Sequence, residues 1–303
     1  MSGLAVMGYV LGVVVAAVVV WFAVRRRPRE ALAGRLVPVI RAARRRAMIA
    51  VLFAATVFLV VAVAGITMPQ LLGLPFAVAP LIAGAAGMLL YGATPPRLVA
   101  LHSDEPRVAR LVPRSVLSAL PARRAGAFLT AVLALVVLLI FGGVTATLDE
   151  DGRSRVLYVE AHGVSSWARP YPGWFYGIPV LIALAVLIVS VLIALHRIST
   201  TPAFPRPSDA DIDARWRRGS VEVILGLGTG SVLFALGGIA AMTGISMVNV
   251  MLMSSPAFAW SAVANTLWIG GGVALVLSIV SVALAGLTAA ALGEQASGMR
   301  PVR

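Results

Sequence analysis

Residues 173–195 read GWFYGIPVLIALAVLIVSVLIAL, with His196 and Arg197 directly after them. No charge interrupts this run. As an α-helix rising about 1.5 Å per residue, it is long enough to cross the roughly 30 Å hydrocarbon core of a bilayer. A helix is the single-segment solution there, because lipid offers no partner to an open backbone N–H or C=O. Six further runs of the same character lie at about 4–24, 47–68, 70–93, 125–147, 221–242 and 264–291. None carries Asp, Glu, Lys or Arg in its central part, and Glu222 and His196 sit at segment ends. An Arg or Asp at a helix centre costs about 2.5–3.5 kcal/mol on insertion, so uncharged runs insert readily.

The composition agrees. Of 303 residues, 60% are hydrophobic and 12% charged, with a mean hydropathy of +0.96. A soluble domain carries about 25% charged residues, so this chain lacks the polar surface such a domain needs. The reading is an all-α polytopic bundle of seven transmembrane helices, one integral membrane domain over 1–303.

Arginine sets the expected orientation. The chain has no Lys, and 22 of its 25 Arg fall in 25–46, 94–124, 196–220 and 292–303, on one side of the membrane if all seven runs cross. The other side holds only Arg153, Arg155 and Arg169. Cytoplasmic loops retain positive charge. This predicts an outer N-terminus, a cytoplasmic C-terminus and an outer loop at 148–172. The run 4–24 has its charges after it, at Arg25, Arg26, Arg27 and Arg29, opposite to a cleavable signal. Arg, Ala and Gly richness points to the plasma membrane of a bacterium with a GC-rich genome.

A net charge of +13 raises nucleic-acid binding. The arginines flank spans, however, so the expected partner is a bilayer with anionic headgroups rather than nucleic acid. Arg25, Arg26, Arg27, Arg44, Arg45, Arg46, Arg123 and Arg124 are the candidate headgroup contacts. The segments 29–46 and 107–124 mix Leu and Val with Arg and read as basic helices lying along the inner leaflet. The Arg-rich loops are also the expected dock for a cytoplasmic protein subunit. The segment 205–219 reads as a loop leading into a short helix. The semi-polar 243–263 (TGISMVNVMLMSSPAFAWSAV) reads as an outer loop in the interface.

Candidate chemistry is sparse. There is no Cys, and the three His are scattered, so no metal site and no cofactor is expected. Gly73, Pro75 and Pro80 in the third run, and Gly177 and Pro179 in the fifth, predict kinks, because Pro removes a backbone donor. Paired interrupted helices can mark a transporter's substrate path. Gly226 and Gly230 form GxxxG, which lets two helices approach closely; the run Gly226–Gly230 is not a nucleotide loop, since it lacks the GxGxxG spacing and a preceding strand. In the outer loop, Val156–Val159 reads as a short strand, and Trp167, Tyr171, Trp174, Phe175 and Tyr176 as an interfacial aromatic belt. Asp149, Glu150, Asp151, Glu160 and His162 form its acidic and imidazole group, which reads as solvated.

No mid-membrane acid or His suits a proton relay, and no HExxH or GxSxG motif is present. The expected function is transport-associated, as a permease subunit or small facilitator, and not enzymatic. The alternatives are a non-catalytic scaffold, assembly factor or sensor, and a membrane enzyme using the outer loop.

Overall fold

The computed structural model describes residues 37–94, 120–161, 163–201, 210–254 and 258–291. The run 4–24, Arg25, Arg26, Arg27 and the tail 292–303 lie outside the described residues, as does most of 107–124.

Six helices are built from the expected runs: α1 (Val37–Thr67), α2 (Leu74–Ala93), α3 (Ala122–Thr145), α4 (Trp174–Thr200), α5 (Ala210–Ser254) and α6 (Phe258–Ala291). Each contains a stretch long and apolar enough to cross a membrane. A 3₁₀ turn at Pro69–Leu71 joins α1 to α2. Three strands, β1 (Thr147–Leu148), β2 (Ser154–Ala161) and β3 (Val164–Ala168), lie between α3 and α4 as an antiparallel sheet in sequence order. The expected strand at Val156–Val159 falls inside β2.

Successive helices alternate in direction. Arg46 of α1 reaches Tyr91 and Thr94 at the end of α2. Arg217 of α5 reaches Ile198 and Thr201 at the end of α4. Tyr176, in the first turn of α4, meets Leu72 just before α2. The bundle therefore has an arginine end, with Arg45, Arg46, Arg123, Arg124, Arg197, Arg217 and Arg218, and a sheet end, with Arg153, Arg155 and Arg169.

The core gathers around α5. Leu81 of α2, Leu135 and Leu139 of α3, Val180 and Leu187 of α4, and Ile224 and Val232 of α5 are all fully enclosed. Helix α6 is tied mainly to α5, along a seam of small residues. A Cβ on Gly226 would lie 2.9 Å from that of Ala285, and one on Gly244 would lie 2.8 Å from the Ala264 carbonyl oxygen. Ser278 and Ser281 donate across the seam to the carbonyls of Gly230 and Gly226, at 2.9 and 2.8 Å. Such interhelical bonds contribute about 0.6 kcal/mol each in lipid.

Three expectations about local structure are corrected. Residues 37–46 do not form a separate surface helix; they are the first turns of α1, continuous with its span. After Pro38 the Ala and Arg residues are strong helix formers, so the helix runs unbroken into the apolar stretch. Residues 210–219 are not a short separate helix either, but the start of α5. The segment 243–263 is not an interfacial loop. Helix α5 continues through it to Ser254, and α6 has begun by Phe258. At 45 residues α5 is about 67 Å long, more than twice the hydrocarbon thickness. Its buried polar side chains there do not end the helix because each finds a backbone acceptor. Thr243 donates to its own backbone at Ile239, and Ser246 to the Pro170 carbonyl at 2.7 Å. Beyond that level Met247 and Val250 pack with Leu157, Ala168, Tyr171 and Ala264, forming a second small core between the sheet and the α5–α6 hairpin.

Candidate functional site

The sheet end gathers the polar groups of the outer loop into one network. The chain leaves α3, makes β1 and turns at Asp149–Gly152, where Gly152 takes φ of 73°. The Asp149 carboxylate accepts the amides of Asp151 and Arg153 at 3.0 and 2.8 Å. This is the Asx geometry that suits Asp to turns. Asp149 also pairs with Arg155 of β2, and the two side chains are only 1% and 12% exposed. Burial pushes the Asp149 carboxyl upward. The Arg153 amide, the Arg155 hydrogen bond and charge, and the Asp151 amide outweigh it and hold the group below its ordinary value.

The Arg155 guanidinium also lies near the Tyr176 hydroxyl, which donates to the Leu72 carbonyl at 2.7 Å. Leu72 needs that hold. It has φ of 53° and is followed by Gly73 at 83°, two left-handed residues in succession. A non-Gly residue there costs on the order of 1 kcal/mol. The pair turns the chain from the 3₁₀ segment into α2.

Both Gly-x-Pro motifs are thereby brought together. Gly73 is the N-cap of α2 and Pro75 lies in its first turn, so neither interrupts a span. Pro80 and Pro179 are inside α2 and α4 and withdraw a donor from Phe76 and Phe175 respectively. Gly177 lies against Trp174 of its own helix and near the Leu139 carbonyl of α3. The seam between α2, α4 and α5 is closed: a Cβ on Gly84 would lie 2.9 Å from that of Ser231 and 3.1 Å from Leu187.

The five aromatic residues part company. Tyr171 is fully enclosed, its hydroxyl 2.5 Å from Thr145 Oγ1 and its amide on the Arg155 carbonyl. Tyr176 is buried, with the Phe175 ring edge-on at 4.9 Å. Trp174 packs on Gly143, while Trp167 is 59% exposed with the Arg169 guanidinium 4.6 Å over its ring. The tyrosines turn inward because their hydroxyls find acceptors there.

The remaining acids are dispersed. Asp151 faces Arg153 at 3.4 Å, Glu150 faces Arg169 at 3.3 Å, and Glu160 takes a long contact from Tyr158 at 3.4 Å. His162 lies outside the described residues. Among the described residues no three of His, Asp and Glu converge on a metal position.

At the arginine end two side chains close helix termini. Arg217 donates to the carbonyls of Ile198 and Thr201 at 2.6 and 2.7 Å and pairs with Asp213 at 2.9 Å. Arg46 donates to the Tyr91 carbonyl at 3.0 Å and lies 4.9 Å from the Tyr91 ring centroid. Cations there satisfy the last carbonyls and oppose the negative end of the dipole. Arg45 and Arg123 are exposed and Arg124 half-buried; the Arg44 side chain lies outside the described residues. Gly226 and Gly230 face α6 within the same chain.

Sequence reasoning missed the Asp149–Arg155–Tyr176 network and the Arg217 cap. A signal existed for the second, in the i, i+4 spacing of Asp213 and Arg217 at a helix start. None existed for the first, which depends on how the sheet folds back over α4. No protein-family model, no curated protein and no solved structure matches this chain.

Proposed function

We propose that this chain is a non-catalytic membrane scaffold that holds a protein partner through the tip of its α5–α6 hairpin. It sits in the plasma membrane with the arginine end in the cytoplasm and the sheet end outside, and residues 4–24 add a seventh span. The arginine asymmetry supports that orientation.

The observation that carries the reading is the tip itself. Helix α5 runs on to Ser254, four residues or roughly 6 Å past Val250, its last buried residue in the second small core. There Leu252 is 79% exposed, and Trp260 and Val263 are also exposed on the returning helix. Apolar groups held out past the bundle on a rigid support suit recognition of a protein. The closed α2–α4–α5 seam and the absence of ionisable groups from the middle of the described spans fit a scaffold better than a conduit.

A photo-crosslinking residue at Leu252, in native membranes, tests this. One discrete protein adduct is expected, absent when the same residue replaces lipid-facing Ile182. Lipid adducts alone at both positions would overturn the reading.

A second reading, as a transport-associated permease subunit or small facilitator, draws on the two Gly-x-Pro helix starts joined by Tyr176 and Leu72 at one end of the bundle. Solute uptake into proteoliposomes above that of empty vesicles, lost on altering Pro80 and Pro179, would favour it over the scaffold.

A further inference from the structure

At the arginine end, an apolar ridge leads to cations that have no counter-charge among the described residues. On α4 the exposed residues Ile182, Val186, Val189 and Ile193 recur at three- and four-residue spacing, along one face. One turn further, on the same face, comes exposed Arg197. The last turn of α2 meets α4 at this level: a Cβ on Gly92 would lie 3.7 Å from Ala194 and 3.9 Å from Ile193. That same turn of α2 receives Arg46 from α1. Its Nη2 donates to the Tyr91 carbonyl, its Nε makes a long contact to Thr94 Oγ1 at 3.4 Å, and its Nη1 is enclosed without a partner.

Among the described residues no carboxylate pairs with Arg46 or Arg197, and the nearby Asp213 is taken by Arg217. A part-buried guanidinium without an anion is unfavourable. A bilayer supplies anions at this depth, as phosphates at the boundary where the apolar ridge ends. A guanidinium fork matches phosphate oxygens in pairs. Arg197 is exposed and free to turn, and Arg46 is fixed by α2.

We propose that the end of the α2–α4 seam, flanked by Arg46 and Arg197, binds the phosphate headgroup of an anionic phospholipid, with one acyl chain along Val186, Val189 and Ile193. The ridge decides for a lipid over a free phosphate, since a soluble anion would have no use for it. The proposal is independent of which leaflet the arginine end faces and of the scaffold reading.

The test is native mass spectrometry of the protein released from vesicles of phosphatidylcholine mixed with phosphatidylglycerol. The wild type is expected to retain phosphatidylglycerol preferentially. Arg46→Gln combined with Arg197→Gln should reduce that retention about thirtyfold, as two surface cations warrant. Arg197→Gln alone, at an exposed position that leaves the fold intact, should reduce it severalfold. Arg218→Gln, at an exposed position of the same end, should leave it unchanged. Equal retention of both lipids by the wild type would overturn the site. So would equal losses for Arg218→Gln and Arg197→Gln, which would mean diffuse attraction. Displacement of the retained lipid by inorganic phosphate alone would overturn the lipid assignment.

Discussion

Gly270, Gly271 and Gly272 are consecutive on α6, and only the middle one faces α5. A Cβ on Gly271 would lie 2.6 Å from the Ala241 amide nitrogen and 2.9 Å from the Gly237 carbonyl oxygen, both backbone atoms that cannot rotate away. A Cβ on Gly270 or Gly272 meets nothing within 4 Å. Gly271→Ala must therefore push the helices apart by about 1 Å to restore ordinary contact. A gap of that size forfeits roughly a quarter to a half of each dispersion contact along the seam. It also stretches the Ser278 bond to Gly230. Overpacking of this kind costs about 1–3 kcal/mol. Gly270→Ala and Gly272→Ala should instead be neutral, or more stable by up to about 1 kcal/mol from helix propensity. The assay is equilibrium unfolding of the three variants in one detergent, followed by tryptophan fluorescence. Three variants of equal stability, or a Gly271→Ala protein as stable as the wild type, would refute the close-packed seam.

Other consequences follow from single contacts. Arg217→Gln should cost about 1–3 kcal/mol by uncovering the carbonyls of Ile198 and Thr201; unfolding in detergent would show it, with faster hydrogen exchange at the end of α4. Tyr176→Phe should release the Leu72 carbonyl and cost about 1 kcal/mol, with faster exchange confined to the turn before α2. The pH dependence has a definite sign. Asp149 is held below its ordinary value when folded, so its stabilisation is fully present above the unfolded carboxylate range and lost as pH falls toward the depressed value. Near-UV circular dichroism of the sheet end should hold from neutral pH until strongly acid conditions. Asp149→Asn should remove that acid transition, and an unchanged transition would count against the Asp149–Arg155 pair as its cause.

The helices were legible because their signal is local: twenty-odd uncharged residues suffice to define a span. Their ends were less so. Nothing in TGISMVNVMLMS shows by itself that a sheet some eighty residues earlier accepts Ser246 and covers Met247 and Val250, so the semi-polar stretch reads as a loop. The mixture of Arg with Leu and Val in 29–46, and the acidic-then-basic order of 205–219, read as separate surface elements, which hid that 37–46 and 210–219 simply extend α1 and α5. The strand at Val156–Val159 was visible from β-branched residues, but its partner at Val164–Ala168 carries a weaker pattern. Gly73, Pro75, Gly177 and Pro179 were visible as residues. Their meeting through Tyr176 was not, because it depends on two helix starts over a hundred positions apart. The same holds for Asp149, which reads as one of several solvated acids until Arg155 folds over it.

The placement of the two ends underlies the account, and the Cys-free chain makes it directly measurable. Ser165→Cys on β3 and Ala214→Cys at the start of α5 are both exposed positions, one at each end. A membrane-impermeant maleimide should label Ser165→Cys in intact cells and Ala214→Cys only after permeabilisation. The reverse pattern, or labelling of both from outside, would contradict the orientation and with it the proposed outer docking tip.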